Sequence, residues 1–108
     1  MKKNTIFLGI LILLLQGTSL FAIDLRGKVV KYNAYYKTYE PLFNIKVDIY
    51  QKDRHIKTIY TNSKGFYYIY NINPGSYTLH IKQKLHNIDV HAIDKKQQQF
   101  QEIDRIIL

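Results

Sequence analysis

Residues 61–77 read TNSKGFYYIYNINPGSY, and the period of this stretch decides the class of the chain. Two turn signals, Asn62–Gly65 and Pro74–Gly75, bracket a run that is aromatic at almost every position: Phe66, Tyr67, Tyr68, Ile69, Tyr70. Tyrosine and phenylalanine favour extended backbone. A run this short between turn residues predicts a strand rather than a helix. Strand side chains alternate between faces, so either both faces are buried or one face is core and the other an aromatic surface.

The neighbouring segments share the two-residue period. In YTLHIKQ (77–83), Tyr77, Leu79 and Ile81 oppose Thr78, His80 and Lys82. In FNIKVDIYQKD (43–53), Ile45, Val47 and Ile49 oppose Lys46, Asp48 and Tyr50. IDLRGKVVKY (23–32) sets Leu25, Gly27 and Val29 on one face, and RHIKTIYT (54–61) follows a polar turn at Lys52 and Asp53. NIDVHAI (87–93) and QFQEIDRIIL (99–108) supply two more strands, while NAYYKTYEPL (33–42) reads as a tyrosine-rich connection. Gly65 suits the positive φ that closes a hairpin at NSKG, and Pro74–Gly75 the centre of a type II turn. No long segment repeats every 3.6 residues. Seven short strands at this spacing predict a single all-β sandwich.

The chain opens with Lys2 and Lys3, an apolar run from Ile6 to Leu15, a polar stretch and a small residue at Ala22. That order predicts a secretory signal peptide over residues 1–22, cleaved to leave one domain at 23–108. The apolar run is short for a membrane span, which needs about 20 residues. With no cysteine, the domain holds neither a disulfide nor a lipid-modified cysteine and must stand on its apolar core. Without the leader, 14 basic side chains face 8 acidic ones, a net charge of about +6. The basic residues are scattered, with no nucleic-acid-binding motif. The Lys-rich, cysteine-free composition has a bacterial cast.

The order of these signals resembles the carboxypeptidase regulatory-like domain, one of the transthyretin-like (prealbumin-like) sandwiches related to starch-binding-like modules. The matching residues are Gly27, Val29, Pro41, Leu42, Ile45, Val47, Thr61, Gly65, Tyr67, Ile69, Ile72, Pro74, Gly75, Tyr77, Leu79 and Ile81. The match is good from Leu25 to Ile81 and vague afterwards. Asn62 stands where the family usually has Asp, and the segment before Pro41, with Tyr32, Tyr35, Tyr36 and Tyr39, is longer than usual. The resemblance implies that Tyr67, Ile69, Ile72 and Tyr77 face the core. By alternation Phe66, Tyr68 and Tyr70 then face outward.

This outward row, with Tyr50 or Tyr60 alongside, is the candidate binding surface. The loop rings Tyr35, Tyr36 and Tyr39 are a second candidate. The competing reading is cross-strand pairing that only stiffens the sheet. His55, His80, His86 and His91 are expected to face solvent, because no spacing brings three of them together as zinc ligands. No nucleophile has a neighbouring base, since Ser63 and Ser76 lie in turns. The Tyr-Arg-Gly-Ser ending of hydroxyisourate hydrolases is absent, and the Lys–Asn isopeptide cross-link of Gram-positive relatives has only Lys28 with Asp104 as a conceivable pair and is not expected. The expectation is therefore an exported, non-enzymatic binding or structural module of the periplasm or cell surface, with no cofactor and no metal. Its partner is a protein contacted through the tyrosine-rich face or, alternatively, a glycan stacked on the same rings.

Overall fold

Strand β1 (Ile23–Asn33) is the spine of the first of two sheets. The computed structural model describes residues 22–108. The expected leader falls, apart from Ala22, outside that range. Strands β2 (Thr38–Pro41) and β5 (Phe66–Ile72) pair antiparallel with β1, while β8 (Gln101–Glu102) and β9 (Ile106–Ile107) pair parallel with it. The second sheet has the order β4-β3-β6-β7, formed by β3 (Lys46–Gln51), β4 (Arg54–Tyr60), β6 (Gly75–Ile81) and β7 (Lys84–Val90). The inward rows of both sheets meet in one core that includes Leu25, Val29, Val47, Ile49, Tyr67, Ile69, Leu79 and Ile81. The chain is an all-β sandwich.

All seven expected strands are present, with three departures. The tyrosine-rich connection contains β2, whose four residues are all exposed. The last strand is interrupted at Ile103–Arg105 and so becomes β8 and β9. β7 also starts at Lys84, three residues before the expected strand. The reason is a two-residue turn in which Lys82 and Gln83 both take positive φ, 45° and 64°, between the paired Ile81 and Lys84. That is a type I′ hairpin made without the usual Asn or Gly.

The NSKG turn forms, with Gly65 at φ 79°, but it does not close a hairpin. It carries the chain from β4 in one sheet to β5 in the other. The Asn62 Oδ1 accepts from the Lys64 and Phe66 amides, each at 3.0 Å, so an amide side chain suffices to hold this turn. Buried Thr61 anchors the turn. Its hydroxyl donates to the Leu42 carbonyl at 2.6 Å and accepts from the Ile45 amide at 2.8 Å. Pro74–Gly75 is likewise a crossing between sheets, and Gly75 takes φ 153°. A type II turn would need about +80° there.

Tyr67, Ile69, Ile72 and Tyr77 are all buried, as expected. Ile69 and Ile72 are three apart and should face opposite ways. A bulge reconciles them, since Leu25 and Ile23 pair with Ile69 and Ile72 across a register shift. Asn71 absorbs it at φ 61°, its amide donating to the Asp24 carboxylate at 2.8 Å.

Candidate interaction surface

Alternation along β5 turns Phe66, Tyr68 and Tyr70 to the outside of the first sheet, while Tyr67 and Ile69 fill the core. The rings form a continuous row. Phe66 and Tyr68 lie 6.3 Å apart between centroids, and Tyr68 and Tyr70 lie 6.0 Å apart with planes only 6° from parallel. Tyr70 is 53% exposed, and Phe66 and Tyr68 are half-buried.

Two residues not anticipated from the sequence cover the row. The ring of Phe100, just before β8, packs 5.5 Å from Tyr68 and 6.3 Å from Tyr70. Arg26 is the register partner of Tyr68 and sits between two rings, 5.5 Å from Phe66 and 5.3 Å from Phe100. These are cation–π distances. Glu102 on β8 holds the guanidinium from the side, accepting from Nε at 3.2 Å and from Nη2. This hydrogen bond raises the Arg26 pKa and keeps the cation fixed in place. Lys28 adds a second cation, its Nζ 5.2 Å from the Phe66 centroid. A hint of Phe100 was available, since it is the one apolar residue between Asp94 and Ile103.

The other expected site residues lie elsewhere. Tyr50 is on β3 in the opposite sheet, stacked on His80 at 4.1 Å with its edge toward His55 at 5.1 Å. Tyr60 ends β4 in that same sheet. Neither extends the β5 row, because the crossing at Asn62–Gly65 puts β4 and β5 in different layers. Tyr35 and Tyr36 crown the β1–β2 hairpin, 85% and 68% exposed, and meet edge to face at 4.8 Å. Asn33 shapes that tip, accepting from the amides of Tyr35 and Tyr36 at 3.0 and 3.2 Å. Tyr39 pairs across the hairpin with Tyr32 and lies under the Arg105 guanidinium at 3.9 Å.

His86 departs from the expectation of solvent-facing histidines. It is half-buried on the inward side of β7, and its Nε2 is enclosed without a hydrogen-bond partner. Among the described residues, no three His, Asp or Glu side chains are grouped to hold a metal ion. No described helix is long and apolar enough to cross a membrane.

No family model and no curated protein matches the chain. Solved structures do. The chain is similar to the Bacillus anthracis TIE protein at a TM-score of 0.56 and 14% identity, over 81% of this chain and 16% of that one. It is similar to GBS52, the minor pilin of the Gram-positive pathogen Streptococcus agalactiae, at 0.54 and 15%, over 81% of this chain and 42% of that one. What they share is the β-sandwich. The chain spans less than half the length of either structure.

Proposed function

We propose that this chain is an exported, non-enzymatic interaction module, a sandwich of the carboxypeptidase regulatory-like kind that contacts a protein partner at the cell envelope or surface. The observation that carries this reading is the Arg26–Phe66–Tyr68–Tyr70–Phe100 face. It combines fixed aromatic rings with a guanidinium already held in place by Glu102. Tyrosine and arginine dominate binding energy at protein interfaces because they offer large contact area and fixed polar groups. A face built before the partner arrives loses little side-chain freedom on binding. The likeness to a minor pilin is in keeping with such a role.

A glycan is the second reading. It is favoured by the near-parallel planes of Tyr68 and Tyr70, which form a track on which sugar rings can stack. Envelope proteins of the producing cell captured on the immobilised protein, beside a glycan array, distinguish the two. A specific protein retained by the native chain and lost with Tyr70→Ser or Arg26→Ala supports the first reading. Glycan binding lost with Tyr70→Ser supports the second. Binding that both variants keep removes the face from either.

A further inference from the structure

The second sheet carries a concavity of about 390 Å³ between the start of β3 and the β6–β7 turn. It lies on the opposite sheet from the ring row and is independent of the function proposed above. Its polar lining includes two lysines, Lys46 and Lys82, two amides, Asn44 and Gln83, and the imidazole of His80. The one carboxylate there, Asp48, is already engaged at both oxygens. Its Oδ1 accepts from Thr58 and meets His55 Nε2 at 3.2 Å, while Oδ2 faces Lys46 at 3.6 Å. Lys82 forms no ion pair among the described residues. His80 is held in orientation by its stack on Tyr50.

The backbone around the concavity is unusual. Asn44 (φ 59°), Lys82 (45°) and Gln83 (64°) are half of the six described non-glycine residues with positive φ. Glycine would hold these conformations without strain, and a two-residue hairpin needs nothing from the side chains of its turn. Lysine and glutamine nevertheless stand there, with a cation and an amide at the edge of the hollow. Lys37 and Lys52 take positive φ in other turns, so what distinguishes this turn is the cation and amide it sets at the edge of a concavity. Lysine ammonium groups bind phosphate as point charges that need no fixed in-plane geometry. Ile45 and the exposed Leu85 add an apolar wall.

We propose that this concavity binds a phosphate ester on a small, partly apolar carrier such as a sugar. Amide chemical shifts of the isotope-labelled protein, titrated with glucose 1-phosphate, test this. Saturable shifts centred on Asn44, Lys46, His80 and Lys82 are expected, weakening as salt is added. Lys46→Gln with Lys82→Gln should lower affinity about tenfold, each single change should lower it less, and Lys31→Gln on the other sheet should not lower it. Inorganic phosphate and phosphatidic-acid vesicles are the further arms. An equal response to inorganic phosphate assigns the phosphate group alone, and a stronger one to vesicles assigns a lipid headgroup; both uphold the site. The proposal is overturned by equal shifts with unphosphorylated glucose, by shifts spread evenly over all lysines, or by a double variant that binds as tightly as the native chain.

Discussion

Gly27 and Tyr67 are direct partners across β1 and β5, and the phenol ring occupies the space where a side chain at Gly27 would begin. A Cβ built on Gly27 falls 2.1 Å from the Tyr67 Cζ and Oη. The largest fully buried side chain of the core is thus housed over a residue that has none. Gly27→Ala should therefore destabilise the domain by about 2–3 kcal/mol, as overpacked cores do. Tyr67→Val should also destabilise it, by opening a cavity. The double variant should cost less than the sum of the two by about 1 kcal/mol or more, because each change relieves the other. Equilibrium denaturation of the four proteins gives the coupling, and strict additivity would refute the packing relation.

The Tyr67 hydroxyl is enclosed and has no hydrogen-bond partner. A buried polar group left unpaired opposes folding. Tyr67→Phe should leave the melting temperature unchanged or raise it, a gain of up to about 1 kcal/mol. A clear loss of stability in this variant would mean that the hydroxyl is satisfied in solution.

The same burial makes stability sensitive to alkali. Desolvation pushes the Tyr67 phenol well above its ordinary pKa, and burial raises that of Tyr77 as well. A tyrosine in the unfolded chain ionises near about pH 10. Above that pH the unfolded chain binds fewer protons than the folded one, so stability falls as pH rises. The contribution is fully present below about pH 10 and is lost as pH climbs toward the folded-state value. Melting curves taken from roughly pH 8 to pH 11 should show this decline, and Tyr67→Phe should lessen it. An equal decline in both proteins would place the effect on other groups.

The β6–β7 hairpin should be improvable. Gln83 holds φ 64° at the second position of the two-residue turn, where type I′ geometry favours glycine. Gln83→Gly should raise stability by about 1 kcal/mol, the usual cost of a left-handed conformation in an ordinary residue. Chemical denaturation measures it, and a loss of stability would show that the Gln83 side chain makes a contact worth more than the strain.

The fold was legible wherever one face of a strand is buried. Val47/Ile49, Tyr67/Ile69 and Leu79/Ile81 alternate cleanly because a sandwich wets only one side of each sheet. β2 escaped because all four of its residues are exposed, and such a strand has no apolar period. Turn chemistry at Asn62–Gly65 specified a chain reversal but not which sheet the next strand joins, so a crossing between layers read as a hairpin. The candidate surface divided in the same way. Its β5 row followed from local alternation. Arg26 and Glu102, 76 residues apart, meet only because β8 runs parallel to β1, and no local pattern encodes that pairing. Tyr50 was misplaced for the complementary reason: its outward direction was correct, but it belongs to the other sheet.

The row on β5 offers a comparison in which composition nearly cancels and burial decides. Tyr67 is fully enclosed, Tyr68 is half-covered by Phe100, and Tyr70 is largely open. Replacing each by serine removes the same atoms from adjacent positions of one strand. Tyr67→Ser should destabilise by about 3–5 kcal/mol, through a cavity and a polar group stranded in the core. Tyr68→Ser should cost about 1 kcal/mol from its contacts with Phe100 and the strand neighbours, and Tyr70→Ser less than that. The combined Tyr68→Ser, Tyr70→Ser protein should therefore stay folded, and if the face is the contact surface it should no longer capture the partner. Denaturation curves and capture assays on the same proteins give both answers. Should the outward double variant unfold while Tyr67→Ser remains stable, the faces of β5 are reversed and the proposed surface falls with them.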